Sequence, residues 1–184
     1  MMPVMTTDPD VESRERADLL ETLGKHRFFL RHTTNGLSDE EAARRTTASE
    51  LCVGGLIKHV ALVESRWAEF IVNGPEAMGP ADLRDPAAME AAGEAHAQSF
   101  RMLPGETLAG LLGRYQEAAD RTDELVASLP SLDESQPLPA APWFEPGARW
   151  SARRVLLHII AETAQHAGHA DIIRESLDGA KTMG

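Results

Sequence analysis

The chain has 184 residues, 42% of them hydrophobic and 26% charged, with a formal net charge of -11. An acidic chain with 5% aromatic residues offers neither the basic patch nor the stacking platform that nucleic acid requires, so nucleic acid is excluded as a partner. No run of about 18 apolar residues suggests a membrane span.

Nothing near Met1 reads as a signal peptide, and the single cysteine, Cys52, makes neither an internal disulfide nor a multi-cysteine zinc site. The expectation is one cytoplasmic domain over 1–184, with a core from about 11 to 177 and short tails.

Leu19, Leu20, Leu23 and Leu30 recur at helical spacing and predict a first helix over about 11–34, stopped by Asn35-Gly36. Ser38 and Glu41 have capping-box spacing for a short helical turn. A second long helix is expected from about 49 to 73, with Ser49 as its cap and Gly74-Pro75 as its end. Its internal Gly54-Gly55 pair costs roughly 1 kcal/mol per residue in helix propensity, which predicts close packing against a neighbour.

From 74 to 106 the chain is less regular, with Pro75, Pro80, Pro86 and Pro104 and a shorter helix over about 86–100. A connection this long lets the next helix run parallel to the second one. Leu108, Leu111, Tyr115, Ala118, Thr122, Leu125 and Leu129 form a three-four stripe that predicts a third long helix over about 107–129. Prolines at 130, 137, 139, 142 and 146 make the next stretch a loop. Ser151 then caps a fourth long helix running to about 177. No segment alternates like a strand. The predicted class is all-α, a four-helix bundle with a long connection between its second and third helices.

Two apolar stripes carry polar residues. On the fourth helix Val155, Ile159, Glu162, His166, His169 and Ile173 share one face. On the second, Cys52, Leu56, His59, Val63, Trp67 and Phe70 do the same. Buried polar groups need partners, and a metal is an economical one. His59, Glu162 and His166 would give two nitrogens and one oxygen with a position left open, the donor set of a catalytic zinc; iron and nickel also accept it.

On spacing alone, a Glu162–His166 pair bonded to each other accounts for the pattern equally well. His158 and His169 lie at the edge of the same face, placed to hydrogen-bond behind the ligands. Gly168 reads as room for close helix packing. His26, His32 and His96 carry no supporting pattern and read as surface residues. Cys52 reads as a small core residue.

The segment Trp150 to Glu175, with Glu162, His166, Gly168, His169, Asp171, Arg174 and Glu175 in the pattern E-x-x-x-H-x-G-H-x-D-x-x-R-E, resembles the last helix of the DinB-like superfamily. Leu51 to Glu64, where His59 follows the small pair Gly54-Gly55, is similar to its second helix. The resemblance is closest to the branch of mycothiol-dependent maleylpyruvate isomerases and mycothiol S-transferases.

It implies an up-down-down-up four-helix bundle and a divalent metal, zinc or sometimes nickel, on His59, Glu162 and His166. It also implies a transferase that uses a low-molecular-weight thiol such as mycothiol on an electrophilic small molecule. Metal-dependent hydrolysis and a non-catalytic dimeric metal-binding or stress-response protein are the alternatives. A homodimer is expected because bundle faces often pair symmetrically.

Overall fold

The computed structural model describes residues 9–79 and 84–182. These residues are mostly helical: α1 Pro9–His32, α2 Asp39–Ala43, α3 Val53–Asn73, a 3-10 turn Gly74–Met78, α4 Pro86–Ser99, α5 Leu108–Ser128 and α6 Ala152–Asp178. None of these helices is long and apolar enough to cross a membrane.

The caps explain most boundaries. Both halves of the Ser38–Glu41 capping box are formed at α2. The Thr107 side chain accepts the Gly110 N–H at α5, and Ser151 accepts the Arg154 N–H at α6. Gly179, at φ 80°, closes α6 in the left-handed conformation that glycine tolerates.

Two expectations change. Helix α3 begins at Val53, not near Ser49. Its cap is Cys52, whose Sγ accepts the Gly55 N–H at 3.4 Å. Ser49 instead pairs with the Thr47 hydroxyl at 2.9 Å and takes the Leu51 N–H at 3.3 Å, a local turn that competes with helix. Cys52 is buried as expected, but as a cap ahead of the helix and not as a member of its stripe.

The proline-rich stretch is also not all loop. Strands β1 Ser135–Pro137 and β2 Arg149–Ser151 pair antiparallel, with Gln136 opposite Trp150. Three residues are too few to show alternation.

Each long helix has two long neighbours: α1 lies against α6 and α5, and α3 against α5 and α6. Two apolar clusters fill the space between them. One holds Leu30, Leu56, Ile57, Leu111, Tyr115, Ala170 and Ile173. The other holds Leu23, Trp67, Phe70, Val126, Val155 and Ile159. Buried polar residues occupy the changeover on every long helix: Arg27, Glu64, Thr122 and Thr163.

Arg27 donates to Glu64 through two nitrogens, one at 3.2 Å, and to Asp123 at 2.8 Å. The threonines turn their hydroxyls onto carbonyls four residues back, Ala118 and Ile159, and so need no further partner.

Gly54 and Gly55 do permit a close approach. A Cβ on Gly55 would lie 1.8 Å from the Phe100 carbonyl oxygen, and one on Gly54 would lie 2.2 Å from the Met102 sulfur. The chain leaving α4 therefore sits directly on α3. Gly168 does not serve packing, since a Cβ there would meet nothing within 4 Å.

Candidate metal centre

Three elements build the site. Helix α3 supplies His59, α6 supplies Glu162 and His166, and the end of α4 lies over His59 because Gly55 lets it. One ligand atom from each of His59, Glu162 and His166 falls within 4.8 Å of the other two. The Nε2 atoms of His59 and His166 stand 4.0 and 3.5 Å from the same carboxylate oxygen, Oε2 of Glu162. The predicted trio is thus brought together. Both histidines are buried, and the Glu162 side chain is 27% exposed.

The far side of each imidazole is engaged. His59 Nδ1 lies 2.8 Å from Ser99 Oγ, and that hydroxyl lies 2.6 Å from the His96 carbonyl oxygen. A hydroxyl has one proton, and the carbonyl can only accept it. Ser99 must then accept from His59 Nδ1–H, which leaves Nε2 bare and aimed at the centre. His166 also has a neighbour behind it, with Nδ1 3.4 Å from His169 Nδ1 and Nε2 facing Glu162, and either ring of that pair can be the donor. The Phe100 ring stacks on His59 at 3.8 Å between centroids and lies 5.7 Å from His166, covering one side.

Protonation states suit cation binding. Burial pushes the His59 imidazole down to about 4 from an ordinary 6.5. His166 and His96 push the same way, Glu162 opposes, and Arg66 adds a smaller push down. The Glu162 carboxyl is held below the usual range mainly by His166, with His158 and His59 adding to this and burial opposing it. At neutral pH the site presents one neutral imidazole on His59 beside one anionic carboxylate.

The other predicted residues separate. His169 stands beside His166, with the two Nδ1 atoms 3.4 Å apart. His158 does not back a ligand through a hydrogen bond among the described residues. Its ring meets Trp67 at 4.9 Å and Trp150 at 5.3 Å, and burial lowers its pKa. The β1–β2 ribbon delivers Trp150 to this spot, where it stacks on Trp67 at 4.8 Å with Arg154 over its other side at 4.2 Å.

Sequence reasoning missed Ser99, Phe100 and the placement of His96. His96 is exposed, yet its ring sits 5.4 Å from His59. The three share one face of α4 at spacings of three and four. The only signal of their neighbour was Gly54-Gly55.

A recess of about 120 Å³ opens beside His59, lined by Arg66, Trp67, Met78 and His96 among others. Larger recesses of about 360 and 310 Å³ run between α3 and α5, and none of the three candidate ligands lines them.

A comparison with curated proteins finds no match. The family model for mycothiol-S-transferase matches residues 18–179, a span that takes in both ligand-bearing helices and the α4 segment between them. The chain belongs to the mycothiol-S-transferase family.

Proposed function

We propose that the chain is a metal-dependent transferase that joins mycothiol, a low-molecular-weight thiol, to an electrophilic small molecule. The observation that carries the reading is the convergence of two Nε2 atoms, that of His59 bare, on one carboxylate oxygen, with a polar neighbour behind each Nδ1. Imidazole nitrogens with an anionic oxygen fit a divalent ion, and two histidines with one carboxylate leave a position open, as catalytic zinc requires. We take zinc as the ion on that donor set; imidazole and carboxylate also suit iron and nickel. The reading of the long helices as an up-down-down-up bundle draws support from the order in which each helix meets the two apolar clusters, α1 and α6 in one order and α3 and α5 in the other.

When bound, the ion supplies Lewis acidity that keeps a thiol in its nucleophilic, deprotonated form at neutral pH. The chain's own residues do the rest. Ser99 fixes the tautomer and angle of His59, and His169 holds the angle of His166. Glu162 contributes the negative charge that offsets part of the ion's. Phe100 shields one side of the imidazoles from water. In the reaction the thiol sulfur forms a bond to the electrophilic carbon, the leaving group departs with its electron pair, and the thiol proton passes to solvent.

The test is turnover of the metal-replete protein with a chloronitroarene or a bimane across a panel of thiols. Mycothiol should support turnover, and Cys52→Ser should leave it intact because that thiol caps a helix instead of facing the centre. Failure of every thiol would remove the transferase reading.

A further inference from the structure

The recess beside His59 contains an unneutralised charge. Arg66 lines it, is exposed, and makes no ion pair or hydrogen bond among the described residues. Arg27, Arg101, Arg114, Arg153 and Arg174, by contrast, all bind carboxylates. Glu69, one turn further along the same helix, instead accepts from Asn73 at 3.5 Å. The His96 imidazole, on the opposite wall, also lacks a hydrogen bond among the described residues and meets His59 and Phe100 only edge-on. Val63, Trp67 and Met78 complete apolar walls.

Arg66 follows His59 by seven residues, about two turns and ~10.5 Å along the axis on nearly the same face. Helical side chains lean toward the N-terminus, so the Arg66 side chain leans back along α3 toward His59. A volume of about 120 Å³ equals roughly four waters of liquid, the size of a four-carbon acid.

We propose that this recess binds the electrophilic substrate and that Arg66 selects a small one bearing a carboxylate. A guanidinium grips a carboxylate through two parallel hydrogen bonds, which orients the far end of the molecule as well as holding it. With the carboxylate at Arg66, the electrophilic carbon of a four-carbon acid points along the recess toward His59. Walls of Trp67 and Met78 suit the hydrocarbon between. The inference rests on the transferase reading for its chemistry but not for its binding.

The experiment has two arms on the metal-replete protein. In the first, ligand-observed NMR measures binding of crotonate against crotonamide, which differ only in the charged group. Crotonate should bind at least about ten times more tightly, and Arg66→Gln should abolish that preference, since a charge-assisted pair accounts for one to two factors of ten. Arg121→Gln, on the separate α3–α5 recess, should preserve it.

In the second arm, 4-bromocrotonate and 4-bromocrotonamide are offered with mycothiol. The sulfur–carbon bond forms, the carbon–bromine bond breaks, and bromide and a proton leave. Catalysed over uncatalysed rate should favour the acid about ten-fold in wild type and neither compound in Arg66→Gln. Arg66-dependent crotonate binding without turnover would uphold the recess and sink the transferase reading. Turnover without an acid preference, or crotonate binding that Arg66→Gln leaves unchanged, would overturn the proposal.

Discussion

Ser99 decides which nitrogen of His59 is free, and it does so through one proton. Its hydroxyl is committed to the His96 carbonyl at 2.6 Å, so it accepts from Nδ1. Ser99→Ala leaves the ring free to rotate and change tautomer, and metal affinity should fall about 10- to 100-fold, the usual effect of losing a partner behind a ligand. His169→Ala should do the same at His166, whereas His158→Ala should leave affinity unchanged, because its ring meets the indoles of Trp67 and Trp150. Competition with a chromophoric chelator measures all three.

The same residues set a pH dependence. The folded His59 titrates near 4 and an ordinary histidine near 6.5, so between those values the unfolded chain binds a proton that the folded chain refuses. Stability of the metal-free protein should therefore fall as pH drops through that window, by on the order of 2–3 kcal/mol. Burial of His158 acts in the same direction. The lowered Glu162 carboxyl extends the loss to more acid pH, since its contribution holds above about 4.5 and disappears as pH falls through its depressed value. Urea midpoints at pH 7 and 4.5 check this. His59→Gln should flatten the difference, and an equal slope in wild type and variant would contradict it.

Helix ends were legible because their chemistry is local. Ser151 and the Ser38–Glu41 box each act within three residues, and each does what its spacing predicts. Ser49 failed as a cap for the same local reason: Thr47, two residues before it, offered its hydroxyl another partner.

The contribution of α4 was not legible. Which face of α3 it covers is decided 40 residues away from His59, and only Gly54-Gly55 hinted that something lies there. That contact gives a sharp contrast between two glycines. Gly55→Ala drives a Cβ into the Phe100 carbonyl at 1.8 Å, so the end of α4 must move, taking Ser99 and Phe100 with it. The cost should be about 1–3 kcal/mol, with metal affinity lost alongside. Gly168→Ala meets open space and should stabilise by roughly 0.5–1 kcal/mol with affinity retained. Thermal melts of both variants, with and without metal, separate these outcomes.

At the scale of the molecule, a polar layer divides two apolar clusters, and the candidate centre sits beside it. Periodicity located His59, Glu162 and His166 because each interrupts an apolar stripe on its own helix. It did not find Arg27 and Glu64, whose burial depends on a pairing across 37 residues. Glu64 is fully buried and Arg27 nearly so, and breaking such a pair leaves a buried charge uncompensated. Glu64→Ala should cost about 3–5 kcal/mol, while joint replacement by Arg27→Met and Glu64→Leu should cost much less. Because neither residue is among the converging trio, metal content of the folded variants should stay at the wild-type level.

We propose that His59, Glu162 and His166 together hold one divalent ion. The most direct test is the metal-to-protein ratio of tag-free wild type and His166→Ala, measured by elemental analysis on samples whose helical circular dichroism is the same. Roughly one ion per chain is expected in wild type and close to none in the variant, because a site reduced to one nitrogen and one oxygen falls below the three protein ligands a catalytic zinc needs. Equal metal content in the two proteins, or none in either after loading with zinc, would contradict it.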